Sequence, residues 1–129
     1  MNIPLLIANL LTLIAFFIHT IAGDKEVRDI QPDGTDAVKQ ERWTQVRCGW
    51  HWVSMDLLLA TIGLALVNFT DHFPDERTIV LLFSFYFLVY AIAWGITIAI
   101  SRPFPMRFAK LGQWMLLLSI SALLYWGTL

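Results

Sequence analysis

The chain has 129 residues, 57% of them hydrophobic and 15% charged, with a formal net charge of −1 and a mean hydropathy of +0.63. Soluble domains hold roughly 45–50% apolar and about 25% charged residues, so both fractions are displaced toward membrane proteins. A near-neutral charge provides no basic face for nucleic acid, and the single cysteine, Cys48, excludes an internal disulfide.

Apolar runs occupy 3–22, 50–69, 78–100 and 107–127. Each is near the roughly 20 residues that a helix rising about 1.5 Å per residue needs to cross about 30 Å of hydrocarbon. The expected fold is all-α: one integral membrane domain over 1–129, an antiparallel up-and-down bundle of four transmembrane helices. The first run has no Lys or Arg ahead of it and opens a series of spans, which favours a retained helix over a cleaved signal peptide.

Between the first two runs, "PDG" signals a turn and "TDAVKQERWTQVR" follows, in which Thr35 or Asp36 is placed to cap a helix. A short interfacial helix is expected there, leading into span two. Later, "SRPFPMR" is a Pro-punctuated turn between spans three and four.

Eight of the nine basic residues lie in 24–49 or around 101–110, and only Arg77 lies elsewhere. The positive-inside rule therefore places the 24–49 loop and the 101–106 turn in the cytoplasm and both termini outside.

Helices in lipid are held together by small and polar residues facing one another, because hydrophobicity alone does not distinguish neighbour from solvent. Span one at steps of three and four gives Asn9, Thr12, Phe16, His19, Gly23 and, if the helix continues, Glu26. Span two gives His51, Ser54, Leu58, Thr61, Ala65 and Asn68. These two seams are expected to pack, with Gly23 level with His51, Gly23, Ser54, Thr61, Asn9 and Asn68 serving as packing residues, and Leu57 turned to lipid. The two imidazoles then stand four residues apart along the axis, about 6 Å. Cys48 falls one turn before His51 and Met55 one turn after it, lining the same pocket. In spans three and four, Tyr86, Tyr90, Ala93 and Thr97 form a milder stripe that Gln113 and Ser119 complete.

Three function classes fit these residues. The leading one is a non-enzymatic accessory or assembly partner in the membrane, since no zinc-protease, dithiol, P-loop or nucleophile-elbow spacing occurs. The second is a haem or transition-metal site with His19 and His51 as ligands, Glu26 or Cys48 completing a zinc or copper set. The third is a small proton-coupled transporter using Asp56, since a carboxylate inside a span costs about 2.5–3.5 kcal/mol and is kept for a reason. Expected partners are the lipid bilayer and either a second copy of the chain or another membrane protein.

"IHTIAGDKE" with "RCGWHWVSMDLLL", and the closing "LGQWMLLLSISALLYWG", resemble a group of small bacterial four-span integral membrane proteins. In that group a His-x3-Gly ends span one and a Trp-His starts span two. The resemblance implies the four-span architecture and directs attention to His19, Gly23, Trp50 and His51; it implies no substrate, cofactor or reaction.

Overall fold

The computed structural model describes residues 1–129 and is all-helical. The elements are α1 (Ile3–Phe17), a π-helical turn (Ile18–Gly23), α2 (Asp24–Asp29), α3 (Ala37–Phe69), α4 (Glu76–Ile100), α5 (Arg107–Lys110) and α6 (Gln113–Trp126). Three helical stretches are long and apolar enough to cross a membrane: Ile3–Asp29, Ala37–Phe69 and Glu76–Ile100.

Two expectations about the elements change. Residues 37–49 are helical, but they form the first part of the 33-residue α3 and not a separate helix. Ala37, Lys39, Gln40, Glu41 and Arg42 are good helix formers, no proline interrupts them, and a single glycine at 49 is too weak a breaker. Of the two capping candidates it is Asp36 that serves, its Oδ1 accepting the Lys39 N–H at 3.0 Å. The fourth apolar run is not one helix. It is interrupted at Leu111–Gly112, leaving the 14-residue α6, about 21 Å long at 1.5 Å per residue. Glycine weakens the helix there, and indole donors take up main-chain carbonyls around the break. Trp94 Nε1 donates to Leu111 O at 3.2 Å and Trp114 Nε1 to Phe108 O at 3.0 Å. Ahead of it, Met106 adopts a left-handed φ of 57°, a conformation costly for a side chain with a Cβ, reached directly after Pro105.

The chain divides into two compact units, residues 10–62 and residues 1–9 with 63–129. In the latter, α6 packs along α4. The buried face of α4 is Val80, Ser84, Phe87, Ala91 and Ile98, a helical repeat, and it meets Ile120, Ser121 and Leu124. The stripe expected from sequence lies elsewhere: Ala93, Thr97, Gln113 and Ser119 are exposed. The Thr97 and Ser119 hydroxyls donate to Ala93 O and Met115 O one turn back in their own helices, so polarity there is satisfied without a neighbour. The polar link between α4 and α6 is instead a reciprocal pair, Ser84 Oγ donating to Ser121 O at 2.9 Å and Ser121 Oγ to Ser84 O at 2.8 Å. Ser84→Ala and Ser121→Ala are each expected to cost about 0.6 kcal/mol, the average for hydrogen bonds between membrane helices. Ser119→Ala is expected to leave the unfolding midpoint in detergent unchanged.

At the start of α4, Asp75 Oδ1 accepts the Thr78 N–H at 3.0 Å, and hydrogen bonding from Thr78 holds the Asp75 carboxyl below the usual carboxylate range. This cap therefore contributes fully above the ordinary carboxylate pKa and is lost as pH falls through the lowered one.

Candidate functional site

The site lies in residues 10–62, where the π-helical turn and α2 meet the middle of α3. Arg47 and His51 are four residues apart on α3 and so share one face. Asp24, the first residue of α2 and only 8% exposed, receives both. Arg47 Nε donates to Oδ1 at 2.8 Å and Nη2 to Oδ2 at 3.1 Å, the two-pronged geometry for which the planar guanidinium is suited. Arg28, one turn on in α2, adds its Nε 3.2 Å from Oδ2. His51 Nε2 lies 3.1 Å from Oδ1. Since a carboxylate accepts, Nε2 is the protonated nitrogen, and in the neutral imidazole Nδ1 keeps the lone pair. Trp43 flanks the cluster: its ring lies 5.5 Å from the Arg47 guanidinium carbon, and its Nε1 donates to Val27 O at 2.9 Å.

His19 has its own set of partners. Its Nδ1 is 3.0 Å from Ser54 Oγ, and Ser54 is fully buried. Its ring stacks on Trp50 with centroids 4.1 Å apart and planes 8° apart. Trp50 Nε1 in turn donates to His19 O at 3.0 Å. The π-helical turn explains this last bond. Bonds from i to i+5 insert one residue into the helix and disturb the carbonyl ladder, leaving acceptor capacity that a side chain can use. Gly23 lies beneath the indole: a Cβ there would collide with Trp50 Cζ2, so close approach requires glycine.

The structure buries the five residues assigned to packing: Gly23, Ser54, Thr61, Asn9 and Asn68. Leu57, expected to face lipid, is buried as well, at 7% exposure, because it falls between Ser54 and Thr61 on the same helical stripe. The five candidate chemistry residues do not converge on one point: the two histidines lie near enough for a charge on one to act on the other, but each holds its own partners. His19 turns to Ser54 and Trp50, and His51 to Asp24. Glu26 and Cys48 are exposed, and so is Met55; Asp56 is half-buried further along α3. No three His, Cys, Asp or Glu side chains are grouped to hold a metal ion, so neither Glu26 nor Cys48 completes a ligand set with the histidines.

Asp24 and its bond to Arg47 are what the sequence reading missed. The step of three from Gly23 leads to the exposed Glu26, whereas the step of four leads to Val27, and Val27 and Asp24, which adjoins Gly23, are the residues covered. The available signal was the adjacency of Gly23 and Asp24 opposite an Arg-x3-His pair.

Comparison with protein-family models, with curated proteins and with solved structures finds no match to this chain.

Proposed function

We propose that the chain is a small multi-pass protein of a bacterial inner membrane that serves as an accessory or assembly partner of other membrane proteins. All four apolar segments enter the bilayer in this reading, with the 24–49 segment cytoplasmic and both termini outside. The observation that carries the accessory role is how the ionisable groups are used: Asp24 is bound by Arg47, Arg28 and His51, and His19 by Ser54 and Trp50. Groups committed to one another fasten helices; a catalytic or transport site keeps some of them for a substrate. The eight-to-one distribution of basic residues supports the orientation, and the many large apolar side chains left exposed, among them Trp52, Leu59, Leu82 and Phe85, supply surface for lipid and for a neighbouring protein.

Two measurements test this. A reporter fused after Leu129 is expected to read as outside and one inserted at Gly34 as inside; a cytoplasmic C-terminus contradicts the orientation. Native membranes solubilised in mild detergent are expected to show the chain in a hetero-assembly that is depleted when the chain is deleted. Migration only as itself, with every other membrane complex unchanged on deletion, contradicts the accessory role.

A further inference from the structure

Where α3 ends and α4 begins, the unit formed by residues 1–9 and 63–129 lines a half-open cavity of about 550 Å³. It is built on a tied floor. The Asn2 backbone N–H donates to Asn68 Oδ1 at 2.7 Å, and Asn2 Nδ2 donates to Gly127 O at 2.6 Å. A Cβ at Gly127 would meet the Leu5 side-chain methyl, which would have to move aside. Leu5, Val67 and Val80 line the cavity and are buried, whereas Asp71, Glu76 and Arg77 line it and are exposed, so an apolar interior gives way to a charged rim. The last residue of the apolar run in α3 is Phe69, and that of α4 begins at 78; the rim thus stands where apolar sequence gives way to polar.

Two features of this cavity point to a ligand. Asn68 is 8% exposed, and while its Oδ1 is used, its Nδ2 is buried with no partner; a buried donor normally has an acceptor. Asp71, Glu76 and Arg77 make no ion pair with one another, although both signs are present on one rim and Arg77 also lies in the field of Asp75. A simple anion would meet two carboxylates there, and a simple cation would face the charge of Arg77 and leave the Asn68 amide unmet. A group carrying both signs meets all of them.

We propose that this cavity binds a primary ammonium linked to a phosphate, the polar end of an aminophospholipid or the corresponding free phosphoamine. Phosphate oxygens accept from Arg77 and from the Asn68 amide, the ammonium donates to Asp71 and Glu76, and any acyl chains follow Leu5, Val67 and Val80.

Calorimetric titration of the full chain in detergent with three probes tests this: dihexanoyl phosphatidylethanolamine, free phosphoethanolamine and dihexanoyl phosphatidylglycerol. The ethanolamine lipid is expected to bind, with affinity reduced about tenfold or more by Arg77→Gln and by Glu76→Gln, the effect of removing one charge-assisted hydrogen bond. Both side chains are exposed, so the variants are expected to keep the wild-type unfolding midpoint. Comparable binding of free phosphoethanolamine identifies a soluble ligand, and binding of the lipid alone identifies the membrane as the source; either supports the site. The proposal is overturned if neither ethanolamine probe binds, if the glycerol lipid binds as tightly, or if both variants leave affinity unchanged.

Discussion

Gly23→Leu is expected to lower the stability of the chain by about 1–3 kcal/mol or more, the range for forcing bulk into a filled contact. A Cβ at residue 23 already collides with the Trp50 ring, and that ring cannot yield freely. It is stacked on His19 and its Nε1 is bonded to His19 O, so displacing it breaks both and uncovers the His19–Ser54 bond. The expected signs are a lowered unfolding midpoint in detergent and a changed Trp50 emission. Gly23→Leu combined with Trp50→Ala is expected to recover part of the loss, because the second change removes the obstacle. Leu59→Ala, at a side chain 64% exposed, is the control and is expected to change little.

Asp24→Ala is expected to be the most damaging charge removal in the chain. It leaves Arg47, Arg28 and His51 facing one another with no carboxylate between them, and orphaning the partners of a covered ion pair costs more than the pair itself contributes. Glu26→Ala, two residues away but exposed, is expected to be near neutral. Arg47→Met alone is expected to be damaging as well, while Asp24→Leu with Arg47→Met is expected to recover stability relative to either single change, since two apolar groups need no partner. Unfolding midpoints of the four variants measure this. A double variant no better than the worse single one contradicts it.

Much of this was legible in the sequence because a polar residue inside an apolar run carries information that a leucine does not. Asn9, Thr12, Ser54, Thr61 and Asn68 are all buried, and each was found by stepping three or four residues through otherwise uniform hydrocarbon. The same stepping failed at Glu26, because beyond Gly23 the covered face runs through Asp24 and Val27, at i+1 and i+4, and a step of three leaves it. It failed on α4 and α6 for another reason. Thr97 and Ser119 satisfy themselves on their own helices, so their polarity said nothing about a neighbour. Hydropathy also ran straight through Leu111–Gly112, since an apolar count does not mark Gly112 as a helix breaker and the indole donors of Trp94 and Trp114 that take up carbonyls around the break leave no trace in it. The pairing of Asp24 with Arg47 spans 23 residues and joins an arginine that helped to orient the bundle to a carboxylate that the positive-inside rule does not count.

In this reading the two histidines serve two separate contacts, His19 with Ser54 and Trp50 and His51 with Asp24, which hold helices and share no ligand. A double-mutant cycle on unfolding midpoints, with metal analysis and an optical spectrum of the protein purified from its native membrane, tests it most directly. His19→Ala is expected to couple with Ser54→Ala and His51→Ala with Asp24→Ala, each by about 0.5 kcal/mol or more, and both more strongly than His19→Ala couples with His51→Ala, since the two rings act on one another only through charge. A bound metal or a haem band lost in either histidine variant, with the double variant no worse than the single ones, would contradict it.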